Sequence, residues 1–222
     1  MTVSALLDLS HSAAGGQLSR YEYPWEAIPH IKEIIIELQN TLGDGYEQIS
    51  EGVFAHKSAK IAPSAYIGAP AIICEGAEIR HCAFIRGSAL VGAGAVVGNS
   101  VELKNAILFD RVQVPHFNYV GDSILGYKSH MGAGSVTSNV KSDKTNVTIL
   151  AGDERIETGM RKMGAVLGDL VEVGCNSTLN PGTVIGRGSR IYPNSSVRGF
   201  VPRDHIYKSK ENIIMMTMED HN

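Results

Sequence analysis

From about residue 53 the chain repeats with a period of six. Ile61, Ile67, Ile73, Ile79, Ile85, Val91, Val97 and Leu103 stand at every sixth position, and Ala59, Ala65, Ala71, Ala77, Ala83, Ala89, Ala95 and Val101 stand two residues before them. Residues two apart point to the same side of an extended chain. Each hexad therefore predicts a short strand that sends one large and one small side chain inward while its other residues turn a corner. Glycines such as Gly76 and Gly94 suit those corners. An α-helix cannot use this spacing, because aliphatics six apart would step by about 240° and ring the cylinder. The phase resumes at Leu167, Val173, Leu179, Ile185, Ile191 and Val197. Between residues 109 and 166 the hexads loosen, and a polar stretch from Lys141 to Lys162 reads as a protruding loop at about 140–163.

Ahead of the repeats lies a different pattern. Ile31, Ile34, Ile35, Leu38 and Leu42 follow helical spacing, with Pro29 near the start and Gly43 at the stop, which predicts a helix near residues 29 to 42 that packs onto or caps the body. Tyr21, Tyr23, Pro24 and Trp25 read as its aromatic anchor. The expected organisation is a head over 1–52, a β-helical body over 53–205 and a C-terminal tail over 206–222.

Composition changes this picture little. The chain has 222 residues, of which 43% are hydrophobic and 19% charged, with a net charge of −3. That fits one ordinary domain with appendages. No window approaches the length of a membrane span, and MTVSALLDLSHS lacks the charged start of a secretory signal, so a cytoplasmic protein without a membrane is expected. The mild acidity gives no reason to expect nucleic acid. Cys74, Cys82 and Cys175 have neither CxxC nor zinc-ligand spacing, so thiols are expected rather than disulfides or a metal.

The hexads resemble the hexapeptide-repeat family, which implies an all-β, left-handed parallel β-helix with three hexads to each 18-residue triangular coil and a short N-terminal helical cap. Its handedness is an exception to the usual crossover rule. Residues 18 apart then stack about 4.8 Å from one another. VELKNAILFDRVQVPHFNYVGDSILG resembles the acetyltransferase domain of bifunctional N-acetylglucosamine-1-phosphate uridyltransferases, and RKMGAVLGDLVEVG resembles archaeal sugar-1-phosphate nucleotidylyltransferases. With GAGSVTSN the likeness covers roughly residues 20 to 205.

The resemblance implies N-acetylation of an amino-sugar phosphate, such as glucosamine-1-phosphate, by acetyl-CoA. His116 becomes the general base, a role for which the residue type is suited because its unperturbed pKa is near working pH. Arg86 and Lys104 match phosphate-binding positions, and their 18-residue separation stacks two cations on one edge. Asn139 matches a residue that orients the amine, and Glu102 and Tyr119 match substrate-binding positions. Lys144, Lys208 and Lys210 are candidates for the coenzyme phosphates. The family also implies a homotrimer with the coenzyme between neighbouring β-helices.

Some positions depart from the family pattern. His130 stands where the uridyltransferases have Asn, and Thr145 and Thr148 stand where the archaeal proteins have lysines, with Lys144 one position away. No Gly-rich phosphate loop opens the chain, and the head is too small for a nucleotidyltransferase domain, so pyrophosphorylase activity is not expected. Two rival readings remain. One is a non-catalytic trimeric module that docks a separate nucleotidyltransferase. The other is a zinc enzyme like the γ-class carbonic anhydrases, which the wide separation of His81, His116 and His130 disfavours.

Overall fold

The computed structural model describes residues 1–217 and is a left-handed parallel β-helix. Three faces alternate along the chain. The first is built from strands such as Ala71–Ile73 and Ala89–Val91, the second from Glu78–Ile79 and Val96–Asn99, and the third from Tyr66–Ile67 and Phe84–Ile85. Partners lie one coil apart in parallel register, as in Ala71 with Ala89, Glu78 with Val96 and Tyr66 with Phe84. The periodic aliphatics and small residues fill the interior, where Ile79, Ile85, Val91, Val97 and Leu103 are buried. The corners are turned in the left-handed backbone region, including at non-glycine positions such as Arg111, Lys128 and Leu170 (φ 59°, 55° and 61°).

The loosened hexads have a simple geometric origin. Coils here contain 17 residues instead of 18, as the pairing of Leu103 with Val120 shows. The missing residue falls at the corner between the third and first faces. Two strands, Glu102–Leu108 and Tyr119–Leu125, therefore run through that corner unbroken. The protrusion leaves the same corner after Asn139 and forms an antiparallel hairpin, Thr148–Ala151 with Glu154–Glu157. It folds back onto the body, where Gly199 (φ +82°) lets the Leu150 carbonyl approach to a distance that no side chain would allow.

The first face differs from the other two because its outward residues are also apolar. Ile72, Leu90, Ile107 and Ile124 are fully buried although they point away from the helix interior. The head covers them. Its helix is Ile31–Gln39, preceded by a 3-10 segment Pro24–His30, and its buried stripe is Ile31, Ile34, Ile35 and Leu38. Of the two placements open to it, the helix takes the one against the side of the body, along Ala71–Ile73, Ala89–Val91 and Glu102–Leu108. Trp25, stacked on Tyr23 at 4.7 Å, is buried with it. Asp169 clamps the two parts, accepting from Asp8 N at 2.7 Å and Tyr127 N at 2.9 Å.

Each end is closed by an antiparallel pairing, which protects an otherwise open sheet edge. Tyr46–Ser50 pairs with Val53–His56 at the start, and His205–Ser209 pairs with Asn212–Met215 at the finish. The stretch from residue 206 expected as a tail thus begins as another strand of the second face, because Tyr207 pairs with Ile191 and continues its inward stacking. Its last residues, 218–222, lie outside the described residues. Among the described residues no helix is long and apolar enough to cross a membrane.

Candidate functional site

The third face presents two outward residues per coil. The pairing of Phe84 with Glu102 and of Glu102 with Tyr119 lines these three up along one column. Ile85 pairs with Leu103, so the residues that follow, Arg86 and Lys104, stack along a second column as the 18-residue spacing requires. Arg86 donates from Nη1 to Glu102 Oε1 at 2.9 Å. Lys104 Nζ lies 2.8 and 3.1 Å from the two oxygens of Asp122. The two cations are thus each matched by a carboxylate, and the cluster is neutral.

Asp122 is the centre of this arrangement, and it is a residue that the motif reading passed over. It sits at the tightened corner with φ 49°, its side chain only 5% exposed. Besides Lys104 it accepts from Asn105 Nδ2 at 2.9 Å and from Asn139 Nδ2. Asn105 also donates to the Ile28 carbonyl at 3.1 Å, which ties the cluster to the head. Asn139 donates to the Tyr119 hydroxyl at 3.2 Å. Burial pushes the Tyr119 phenol above its ordinary pKa, with Asp122 and Glu102 adding to the effect, so it stays a protonated donor. A signal was present in the sequence, since Asn105, Asp122 and Asn139 are spaced by 17, the length of the local coils.

The structure therefore brings Arg86, Glu102, Lys104, Tyr119 and Asn139 together. His116 lies at the opposite corner of the same face, at the end of the strand Gln113–His116, beside the left-handed Phe117 (φ 51°). Its backbone is held firmly: its N–H donates to Asn118 Oδ1 at 3.1 Å, and its carbonyl accepts from Gly134 N at 3.0 Å. Asn118 is itself buried and donates to the carbonyls of Gly132 and Ser135. The imidazole is exposed and has no hydrogen-bond partner among the described residues. His116 and Tyr119 flank the left-handed corner at Phe117, so both border this face.

The coenzyme candidates lie elsewhere. Lys144 is exposed in the turn before the hairpin, with φ 58°. Lys208 and Lys210 are exposed at the C-terminal end of the second face, Lys208 sitting 5.5 Å from the Tyr192 ring centre. His81 bonds Ser64 at 2.9 Å and His130 pairs with Glu172 at 2.7 Å. Among the described residues no group of three or more His, Cys, Asp or Glu is placed to hold a metal.

Comparison with known proteins gives a consistent neighbourhood. The family model of the GMPPB C-terminal domain matches residues 69–185, just over half of the chain. A bifunctional sugar-1-phosphate nucleotidylyltransferase/acetyltransferase from Sulfurisphaera tokodaii is 37% identical over 109 residues, which are 49% of this chain and 27% of that protein. The bifunctional protein GlmU of Synechococcus elongatus is 30% identical over 165 residues, 72% of this chain and 28% of that protein. The chain spans about a quarter of the length of these relatives. Among solved structures, the acetyltransferase domain of PglB from Neisseria gonorrhoeae, in complex with acetyl coenzyme A, superposes with a TM-score of 0.34 at 13% identity, covering 86% of this chain and 67% of that one.

Proposed function

This chain belongs to the GMPPB C-terminal domain family, and on that premise we propose that it is a cytoplasmic acyltransferase that uses acetyl-CoA to N-acetylate a phosphorylated amino sugar. The observation that carries the reading is the convergence of Arg86, Lys104, Tyr119 and Asn139 around Asp122 and Glu102, with an unpartnered His116 at the adjoining corner. A sugar phosphate lying across the face puts its phosphate between Arg86 and Lys104, where the guanidinium offers a fork and the ammonium a point charge. Its amine then lies near Tyr119 and Asn139. His116 takes the amine proton as nitrogen attacks the thioester carbonyl. The C–S bond breaks, the amide forms, and the imidazolium returns its proton to the departing thiolate, so the products are the N-acetyl sugar and free CoA.

An extended coenzyme is held best in a groove between two walls. A homotrimer supplies one, with the exposed second and third faces of neighbouring copies forming the groove, since the first face is already occupied by the head. Lys144, Lys208 and Lys210 are then available to the coenzyme phosphates.

The test is free-CoA release from acetyl-CoA with glucosamine-1-phosphate. Native release reduced by roughly 10² to 10⁴-fold in His116→Ala, with an unchanged unfolding transition, supports the assignment. No native release, with no acetyl-CoA binding, overturns it in favour of a non-catalytic module. The neutrality of the cation cluster is the observation that favours that second reading, because Arg86 and Lys104 already have anionic partners.

A further inference from the structure

The column that carries Glu102 and Tyr119 continues in the other direction as Phe84 and then Tyr66. Both rings stand in solvent, Tyr66 at 61% and Phe84 at 44% exposure, with centroids 5.6 Å apart. Neither ring packs into the core or under the head. An exposed aromatic pair in strict register with a cation stack invites a ligand that carries both a phosphate and a flat ring. Distances along the solenoid fit. Arg86 and Lys104 lie one coil apart, and the rings are centred about one coil, roughly 5 Å, from the middle of that pair along the solenoid and two residues, roughly 7 Å, across it, so roughly 8 Å in all. That is the separation between the phosphate and the base of a nucleotide. In the opposite direction Tyr119 lies about one and a half coils, roughly 7 Å, from the same phosphate position, where a sugar amine belongs, and Asn139 reaches its hydroxyl from the coil beyond. Glu102, between the rings and Tyr119, offers a carboxylate to ribose hydroxyls once a diphosphate takes Arg86 from it.

We propose that the acceptor is a nucleoside-diphosphate-linked amino sugar, its diphosphate between Arg86 and Lys104 and its base stacked on Phe84 and Tyr66. This rests on the acyltransferase reading for the sugar end, but the nucleotide end is tested by binding alone. The ligand order along the face is base, diphosphate, sugar amine, running from Tyr66 to Asn139. It also accounts for the neutral cluster: a diphosphate carries enough charge to compete with Glu102, whereas Lys104 keeps its contact with the buried Asp122.

Calorimetric titration of the full chain with glucosamine-1-phosphate and with its uridine, guanosine and thymidine diphosphate forms tests the assignment. At least one nucleotide-linked sugar is expected to bind roughly tenfold or more tightly than the sugar phosphate, with the preference lost in a Tyr66→Leu/Phe84→Leu variant. Leucine keeps apolar area but removes the ring face, so a contact between copies of the chain survives in that variant and a base platform does not. Equal binding of all four ligands overturns the proposal, as does a retained preference in the variant. Loss of acetyl-CoA affinity in the variant with the acceptor preference intact overturns it too, because the rings would then serve the adenine of the coenzyme. A nucleotide preference without any CoA release keeps this proposal and overturns the acyl-transfer reading instead.

Discussion

Replacing Asp122 with Asn removes one charge and leaves the backbone undisturbed, since Asn tolerates the left-handed corner that Asp122 occupies (φ 49°). The carboxylate is nearly fully buried and receives hydrogen bonds from Lys104, Asn105 and Asn139. An amide keeps one acceptor oxygen but turns an NH₂ toward groups that are themselves donors. Hydrogen bonds to a charged group contribute about 1.5–3 kcal/mol each, and unmaking a buried pair costs about 3–5 kcal/mol. Lys104 is 28% exposed and recovers part of its hydration, so the expected loss lies near the lower end, about 3 kcal/mol. At about 2–4 °C per kcal/mol for a chain of this size, the melting temperature should fall by roughly 6–12 °C. Lys104→Met leaves the carboxylate buried without its cation and should cost a comparable amount. The double variant should cost less than the sum by at least about 1 kcal/mol. Urea unfolding of the four proteins, read at constant slope, measures this coupling. A loss below about 0.5 kcal/mol for Asp122→Asn, or additivity within about 0.5 kcal/mol, would falsify the view that Asp122 organises the cluster.

Three further outcomes follow from single sites. Burial pushes the Cys74 thiol up to about 11, while Cys82 and Cys175 are exposed, so a thiol reagent at pH 8 should label two cysteines in the native chain and the third only after unfolding. Fast labelling of all three would refute this. Leu170 is 54% exposed at a left-handed corner, and Leu170→Asn should raise stability by about 0.5–1 kcal/mol by relieving backbone strain; an unchanged urea midpoint would count against it. Burial raises the Asp169 carboxyl above 3.8, against the lowering effect of its N–H donors. It therefore holds its proton more tightly folded than unfolded, and the stability it contributes is fully present at low pH and lost as pH rises through the raised value. The stability of the native chain relative to Asp169→Asn should fall from pH 4 to pH 7, and a difference that rises instead would show that the donors outweigh burial.

Much of the fold was legible because it rests on one-dimensional repetition. A strict period of six fixes which side chains face inward, and Ile79, Ile85, Val91, Val97 and Leu103 are all buried as that period requires. The side-on placement of the head was less legible. Its cause lies in a second apolar set, Ile72, Leu90 and Ile107, that points outward on one face only. A hexad reading that asks only which residues face inward does not ask what covers the others. The closing hairpin at His205–Met215 was missed for a related reason: the coil before it has 16 residues, as the pairing of Ile191 with Tyr207 shows, so the strand falls out of phase.

At the candidate site, the same arithmetic explains both what was found and what was not. Arg86 and Lys104 are 18 apart and were matched by the regular period, which the register of Ile85 with Leu103 reproduces. From Asn105 onward the coil shortens by one residue at one corner, and the stacking period becomes 17. Under that period Asn105, Asp122 and Asn139 are successive members of a single column. The deletion has a physical consequence beyond numbering. The shortened side carries an unbroken strand through its corner, and Asp122 at that corner is held buried against Lys104 and Asn139. Loss of the hexad pattern in a solenoid of this kind therefore marks where the backbone has been tightened to present polar groups, and the residues to search for are those that restore a stack when the period is recounted.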